Sequence, residues 1–181
     1  MATIVPLDLA QASPEVASLL QAVKAKLGRV PNLFLTLAKA PSALKAYLGA
    51  SEAIGSGHLD AQQREVIALA VAEANGCEYC LAAHSAIGKL VGLDADTLLQ
   101  SRSGVPVDPR HAALAAFARA VVRERGQVSP LDLQAAREAG LDDRDLLEVV
   151  ANVAINVFTN YTNHVAGTVV DFPKVARLAY V

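Results

Sequence analysis

Residues 60–90 read DAQQREVIALAVAEANGCEYCLAAHSAIGKL, and this stretch decides the fold. Asp60 is a typical helix N-cap, and the apolar residues after it recur at the helical period, which predicts a helix from residue 61 to about residue 75. Asn75-Gly76 is a typical helix stop. The next residues at helical spacing are Cys80, Ala83, His84, Ile87 and Leu90. Two helices joined by a tight turn are therefore expected, with both cysteines on the first turn of the second helix.

The rest of the chain carries the same kind of helix signals. Prolines at first helical positions and glycines at helix ends mark further helices. They are expected over residues 14–28, 33–38, 41–55, 94–100, 110–125, 130–140 and 142–161. No alternating apolar and polar pattern persists long enough to predict a sheet. The predicted class is all-α, a compact helical bundle in a single domain over residues 1–181, with residues 101–109 as the best candidate for a linker.

A fainter pattern links the two halves of the chain. Leu59-Asp60 is followed by Glu65 and a long apolar helix, and Leu141-Asp142 is followed by Glu148 and a similar apolar run. The pattern indicates a possible duplicated helical hairpin, in which only the first copy carries cysteines.

The composition argues against several classes of protein. The net charge is -2, with 16 basic and 18 acidic residues, so the chain lacks the basic surface that nucleic acid binding requires. Charged or polar residues interrupt every apolar run well short of the roughly 20 residues of a membrane-spanning helix, and the N-terminus does not resemble a signal peptide. Hydrophobic residues make up 53% of the chain, which favours a homo-oligomer that buries apolar surface between subunits.

Four residues form the pattern E-x11-C-x2-C-x3-H, namely Glu65, Cys77, Cys80 and His84. The cysteines share one helical face, close enough to form a disulfide, and a helix N-terminus favours a thiolate. His84 lies one turn after Cys80, where its ring can exchange a proton with the sulfur. Since the chain has only these 2 cysteines, it has no disulfide framework, and the pair is expected to work as a dithiol in a reducing cytoplasm.

The spacing also brings Glu65 towards His84. Glu65 precedes the Asn75-Gly76 turn by about ten residues, roughly 15 Å, and His84 follows it by about eight, roughly 12 Å, at 1.5 Å per residue. If the two helices fold back antiparallel, the two side chains come level. The order Glu65, His84, Cys80 is then a proton relay that ends on a thiol.

The chemistry expected of such a relay is reduction of a hydroperoxide. A thiolate attacks the O–O bond, becomes a sulfenic acid, and is captured by the neighbouring thiol as a disulfide. A thiol or protein electron donor, which the sequence does not identify, must then reopen the disulfide. None of these steps calls for a cofactor or a metal ion.

Glu65, the run Cys77-Glu78-Tyr79-Cys80 and His84 resemble the alkylhydroperoxidase D-like branch of the carboxymuconolactone decarboxylase superfamily. The resemblance implies an all-helical fold, peroxidase activity, and trimers or hexamers. It also implies protein electron donors, namely a peroxiredoxin and a lipoyl-bearing protein. More loosely, it extends over a core that runs from Pro31 to about Pro173.

The same resemblance implies a role for each site residue. Cys80 would be the thiolate that attacks the peroxide, and Cys77 would be the proton donor and resolving thiol, with Glu65 and His84 in the relay. The sequence departs from the family pattern at Tyr79, because well-studied members carry a second histidine there. The departure implies a shorter or slower relay.

Other interpretations of the four residues stay open. The pair can act as a redox sensor or disulfide-exchange module without peroxidase turnover, or pack as two buried thiols. Cys77, Cys80, His84 and Glu65 could supply four zinc ligands, although no further cysteine offers a second knuckle. The cofactor-free lactone decarboxylase of the same superfamily is a further alternative, but it does not depend on a cysteine pair.

Three more residues are weaker candidates for the substrate pocket. His58 lies in a Gly-rich turn, where a solvated position is the alternative. His164 interrupts an apolar helix together with Asn160 and Asn163, so it either lines the pocket or hydrogen-bonds a helix end. Tyr79 is either a pocket wall or a packing residue.

Overall fold

The computed structural model describes residues 2–103 and 108–178. Within these ranges the chain forms nine α-helices and no strand, which confirms the all-α prediction. The helices are α1 (Pro14–Leu27), α2 (Asn32–Leu37), α3 (Pro41–Gly55), α4 (Ala61–Ala74), α5 (Glu78–Leu90), α6 (Ala95–Ser103), α7 (Pro109–Arg123), α8 (Pro130–Glu138) and α9 (Asp143–Ala166). No helix in the described part of the chain combines the length and the apolar character that crossing a bilayer requires.

The helix starts follow the local signals in the sequence. Asp60 and Asp142 both form capping boxes, at the starts of α4 and α9 respectively. The predicted similarity between the two halves of the chain is therefore present at these two helix starts. It does not extend to a second hairpin after α9, because α9 runs without interruption over 24 residues and no further helix follows it in the described residues.

The central helix of the bundle is α4. Every residue from 66 to 73 is buried, so this segment has no solvent face and shows little amphipathic contrast. The helix packs against α5, α6, α7 and α9. Glu65 lies one residue before this buried segment. It therefore belongs to α4, the helix that is packed against four other helices.

The turn between α4 and α5 is a Schellman motif. Gly76 has a φ of 66°, a left-handed conformation that favours glycine. The backbone N–H groups of Gly76 and Cys77 donate to the carbonyls of Glu73 (3.0 Å) and Ala72 (2.9 Å). This geometry ends α4 and places Cys77 immediately before the first residue of α5.

The linker predicted over residues 101–109 is partly wrong. Ser101 and Arg102 are buried within α6, and Pro109 begins α7, while residues 104–107 lie outside the described residues. Arg102 is buried because its guanidinium forms an ion pair at 2.8 Å with Glu73, which is fully buried in α4. A local sequence pattern does not reveal a pairing between residues 29 positions apart.

The same ion pair anchors the segment that follows α9. Arg102 Nη2 donates to the carbonyl of Ala176 (2.6 Å), and the backbone N–H of Leu178 donates to Glu73 Oε1 (3.0 Å). The Arg177 guanidinium lies against Gly76. The C-terminal segment therefore packs onto the turn that carries Cys77.

Candidate active site

Cys77 and Cys80 lie at the N-terminal end of α5, with Cys77 as its N-cap. Both are free thiols, and they are only 1% and 2% exposed. The backbone N–H of Cys80 donates to Cys77 Sγ at 3.4 Å. Cys77 Sγ thus accepts a hydrogen bond and lies at the positive end of a helix dipole. Both features favour a thiolate.

Glu65 and His84 face each other across the α4–α5 hairpin. Glu65 Oε2 lies 2.8 Å from His84 Nδ1, which confirms that the two side chains come level. Burial alone would lower the pKa of His84, but the charge and the hydrogen bond of Glu65 outweigh burial and raise this pKa above 6.5. The imidazolium therefore persists to higher pH than in a free histidine. Because the carboxylate engages Nδ1, Nε2 is the nitrogen available for proton exchange.

Two amides of α9 approach the cysteine pair. Asn163 Nδ2 donates to Cys80 Sγ at 3.3 Å, and Asn160 Oδ1 accepts from Asn75 Nδ2 at 2.8 Å, which ties α9 to the α4–α5 turn. Sequence reasoning noticed these amides only as neighbours of His164. The signal that identifies them is a row of amides at helical spacing along an apolar helix, namely Asn152, Asn156, Asn160 and Asn163.

A cavity of about 300 Å³, here called the main cavity, opens beside Cys80. Its wall includes Glu65 and His84, amides of α9, and mostly apolar side chains of α1, α2 and α3. Tyr47 also lines it, and burial, followed by the charges of Cys80 and Glu65, raises the pKa of its phenol to about 12. The phenol of Tyr47 is therefore neutral at physiological pH. Nothing in its local sequence predicts that it lines the cavity.

A second cleft of about 270 Å³, here called the Cys77 cleft, borders the other sulfur. Its wall includes Cys77, Asn163, His164 and Thr168. Of the two spaces, Cys80 lines the main cavity and Cys77 lines the Cys77 cleft. The two cysteines therefore border different spaces.

The two sulfurs hold protons unequally. The pKa of Cys77 is lowered to about 6, and the main cause is the hydrogen bond from the Cys80 side chain. Burial opposes this change, and the electrostatic effect of His164 adds to it. The bond to Cys77, together with burial, raises the pKa of Cys80. In the resting dithiol a thiolate is therefore favoured on Cys77 over Cys80.

We expect the resting pair to titrate with a midpoint near pH 6. Since the pKa of Cys77 is lowered from 9.0 to about 6, its thiolate is present above that pH and is lost as the pH falls through it. Ultraviolet absorbance of the thiolate over the acidic to neutral range measures this transition. Cys77→Ser should remove the transition, and Cys80→Ala should move it to higher pH because the hydrogen bond from the Cys80 sulfur is gone. An unchanged midpoint in Cys80→Ala would contradict the assignment.

Tyr79 is held in a hydrogen-bond network that spans the fold. Its hydroxyl donates to Asp171 Oδ1 (2.8 Å) and accepts from the backbone N–H of Leu33 (3.1 Å), and Asp171 also binds Arg29 at 2.7 Å. Burial, and then Asp171, raise the pKa of Tyr79. The phenol is therefore neutral and fully engaged, and it forms a wall shared by the main cavity and the Cys77 cleft. Tyr79 is thus both a packing residue and a pocket wall.

The remaining candidates lie further from the pair. His58 is exposed and lines neither cavity, and its backbone N–H donates to the Glu148 carboxylate at 2.8 Å. His164 lies at the exposed rim of the Cys77 cleft. Among residues 2–103 and 108–178, no three His, Cys, Asp or Glu side chains are placed to hold one metal ion. The geometry therefore lends no support to the zinc interpretation.

Known proteins resemble this chain over more than the residues of the site. Residues 40–103 match the carboxymuconolactone decarboxylase family. A peroxidase-related protein with an alkylhydroperoxidase D core from Ralstonia eutropha JMP134 is 28% identical, with a TM-score of 0.85 and coverage of 94% of this chain and 92% of that one. A peroxidase-related protein from Silicibacter sp. TM1040 is 27% identical, with a TM-score of 0.76 and coverage of 96% and 92%. The matches confirm the resemblance to the alkylhydroperoxidase D-like branch of the superfamily.

The alkylhydroperoxidase D-like fold also occurs in a protein of different chemistry. The debrominase Bmp8 is 22% identical, with a TM-score of 0.80 and coverage of 93% of this chain and 92% of that one, a likeness that shows the fold alone. No curated protein matches the sequence significantly. The fold therefore does not determine the reaction, which depends on the residues of the site.

Proposed function

We propose that the protein is a thiol-dependent peroxidase that reduces hydroperoxides through the Cys77 and Cys80 dithiol. The observation that carries the proposal is the contact between Glu65 and His84 in the wall of the cavity that Cys80 also lines. An imidazole that is hydrogen-bonded to a carboxylate and lies near a thiol can transfer the protons that peroxide reduction requires. The likeness to two peroxidase-related proteins supports the same interpretation. The mostly apolar wall of the main cavity suits an organic hydroperoxide.

The first step in this proposal moves the thiolate to Cys80. The proton of Cys80 passes to Cys77 Sγ along the hydrogen bond between them, while Asn163 Nδ2 donates to Cys80 Sγ and stabilises the new charge. Cys80 Sγ then attacks the terminal oxygen of the hydroperoxide, the O–O bond breaks, and the sulfur becomes a sulfenic acid. The alkoxide leaves with the proton of the His84 imidazolium, which Glu65 keeps protonated against the effect of burial.

The second step forms the disulfide. Cys77 Sγ attacks the sulfenic sulfur of Cys80, and the proton of Cys77 leaves with the displaced hydroxide as water. The position of Cys77 at the N-terminal end of α5, where its sulfur accepts the backbone N–H of Cys80, favours loss of this proton. Over both steps the dithiol gives up two electrons and the hydroperoxide becomes an alcohol and water. His84 then regains its proton from solvent.

The proposal includes the setting of the reaction. Turnover requires a thiol or protein electron donor, and a reducing cytoplasm is the compartment in which such a dithiol is regenerated. We also propose a homo-oligomer, a trimer or hexamer as the resemblance implies. The apolar side chains exposed along α9 support burial between subunits, and they include Leu147, Phe158, Tyr161 and Val165.

A redox sensor or disulfide-exchange module is the second candidate. The observation that favours it is the burial of both sulfurs, which are 1% and 2% exposed and so have restricted access to a substrate in solution. The lactone decarboxylase alternative gains no support from the site, because its chemistry does not depend on a cysteine pair.

The test is consumption of cumene hydroperoxide by the protein with dithiothreitol as electron donor. We expect multiple turnovers above the rate of a protein-free control, and a Cys77–Cys80 disulfide in the protein sampled before the donor is added. Oxidation that stops after one equivalent, in spite of excess donor, would favour the sensor. A protein that the hydroperoxide does not oxidise would overturn both candidates.

A further inference from the structure

Four asparagines form a row on one face of α9, because positions 152, 156, 160 and 163 recur at the helical period. At one end of the row, Asn163 donates to Cys80 Sγ and Asn160 binds the α4–α5 turn, so this face of α9 is turned towards the cysteine hairpin. The other two members, Asn152 and Asn156, line the main cavity. They lie roughly 12 Å and 6 Å from Asn160 along the helix axis, at 1.5 Å per residue.

The amides of Asn152 and Asn156 each leave one hydrogen-bond acceptor unused. The two residues are only 3% and 7% exposed, and their Nδ2 atoms donate to the backbone carbonyls of Glu148 and Asn152, both at 2.8 Å. Neither Oδ1 atom accepts a hydrogen bond from the described residues, and neither is among the unpaired polar atoms that are closed off from solvent. The two amide oxygens are therefore within reach of a molecule in the main cavity.

A purely structural role does not account for these two amides. A side-chain amide that donates to the carbonyl four residues earlier competes with the backbone and does not strengthen the helix. An acceptor that is buried without a partner is unfavourable. An apolar side chain of the same shape would suit the fold at least as well, so the two oxygens indicate a ligand that brings a hydrogen-bond donor.

The charged groups around the main cavity favour a neutral donor over a cationic one. Lys26, Arg64 and His84 lie in its wall together with Glu52 and Glu65, and Glu65 is already bound to His84. An ammonium group therefore meets no excess of negative charge. An anionic group would bring acceptors to acceptors at the two amide oxygens. The neutral donors that fit are a hydroxyl and an amide N–H.

We infer that Asn152 and Asn156 form a recognition subsite of the main cavity, and that the preferred substrate is an organic hydroperoxide with a neutral hydroxyl or amide N–H group remote from its peroxide. The inference rests on the proposed function and adds the chemical class of the substrate to it. The peroxide then lies at Cys80, the apolar body of the substrate packs against the cavity wall, and the donor group reaches an amide oxygen. The cavity volume of about 300 Å³ is at the lower end for ligand sites and suits a small substrate.

Two para-substituted cumene hydroperoxides test the requirement for a donor. One carries a hydroxymethyl group and the other a methoxymethyl group, so both offer an oxygen atom but only the first offers an O–H. The measured quantity is kcat/KM for the hydroperoxide with dithiothreitol as electron donor. The wild-type protein should prefer the hydroxymethyl compound about fivefold, the effect of one neutral hydrogen bond. Equal values for the two compounds would overturn the inference.

Asn152→Leu, Asn156→Leu and the double variant remove the acceptors and keep the branching of the side chains. The preference for the hydroxymethyl compound should disappear in the double variant and in at least one single variant. Thr159→Val is the matched control, because it removes a hydroxyl from the same wall that is already bound to the Asn156 carbonyl at 3.0 Å. This control should keep the preference. A preference that survives in the double variant, or that is lost equally in Thr159→Val, would overturn the inference.

Thermal unfolding of the same variants separates recognition from a structural role. The double variant should melt at or above the temperature of the wild-type protein, because apolar groups replace buried acceptors that have no partner. A lower melting temperature with an unchanged preference would assign the amides to the fold and refute the subsite. If the leucine variants do not fold, Asn152→Ala combined with Asn156→Ala removes the same oxygens without adding volume.

Binding without turnover distinguishes a failure of the subsite from a failure of the proposed function. 4-Isopropylbenzyl alcohol and its methyl ether carry the same two head groups but no peroxide, and calorimetric titration gives their dissociation constants. The alcohol should bind the wild-type protein about fivefold more tightly, and the double variant should lose this difference. If the alcohol keeps its advantage but no hydroperoxide oxidises the protein, the peroxidase proposal fails and the ligand class at the subsite stands. If hydroperoxides turn over but the alcohol has no advantage, only the subsite is refuted.

Discussion

Replacement of Cys80 by serine is expected to reduce hydroperoxide turnover to the rate of the protein-free control. A serine hydroxyl does not ionise near neutral pH and cannot form a sulfenic acid, so the sulfur that lines the main cavity is lost. The fold should survive, because the exchange changes one buried atom at the start of α5 and leaves the Cys77 N-cap in place. Steady-state turnover and thermal unfolding measure the two properties.

The matched control for this prediction is Cys77→Ser. This variant should still react once with the hydroperoxide and accumulate a sulfenic acid on Cys80, which dimedone traps, but it should not turn over because the resolving sulfur is missing. A dimedone adduct on Cys77 in the Cys80→Ser protein would contradict the assignment. The attacking sulfur would then be Cys77, the sulfur with the lower pKa.

Neutralising Glu65 is expected to slow oxidation of the protein by the hydroperoxide about 100-fold, the low end of what general acid–base catalysis contributes. In Glu65→Gln, burial acts on His84 without the opposing charge, so the pKa of His84 falls instead of rising. The imidazolium that protonates the alkoxide is then lost at a lower pH. The alkaline limb of the pH profile should therefore move to lower pH, while the acid limb near pH 6, set by Cys77, stays in place.

Glu52→Gln is the control for this pH profile. Glu52 also lies in the wall of the main cavity, so the exchange removes the same charge from the same space without touching the contact between Glu65 and His84. Its profile should match that of the wild-type protein. If Glu65→Gln only lowered the rate by a constant factor at every pH, Glu65 would be holding His84 in position without setting its protonation.

The contact between Glu65 and His84 could be predicted from the sequence because it depends only on local structure. Both residues lie on one helical hairpin, and the rise per residue fixes how far each lies from the turn. The stop signal at Asn75-Gly76 and the N-cap at Asp60 are also local, and both appear in the structure as expected. Short-range rules of this kind were sufficient for the helices and for the meeting of the carboxylate with the imidazole.

The features that sequence reasoning missed depend on contacts between distant parts of the chain. Asn163 reaches Cys80 across 83 positions, and Asp171 reaches Tyr79 across 92. Neither contact follows from a helical period, because each requires the crossing geometry of α9 and the path of the segment after it. The unequal protonation of the cysteines was missed for a related reason, since it depends on the burial of both sulfurs and on the bond between them.

The network around Tyr79 limits how far the cysteine motif can be moved to another protein. A designer who grafted the run Cys77-Glu78-Tyr79-Cys80 onto an unrelated helix would carry over the two sulfurs but leave Asp171 and Leu33 behind. The tyrosine would then lack its hydrogen-bond partners, and its ring could turn towards the main cavity, the Cys77 cleft or solvent. A functional transplant would therefore need the hairpin, α2 and the tail after α9, which lie far apart in the sequence. In this chain, random libraries that vary Glu78 and Tyr79 should return few functional members that lack tyrosine at position 79.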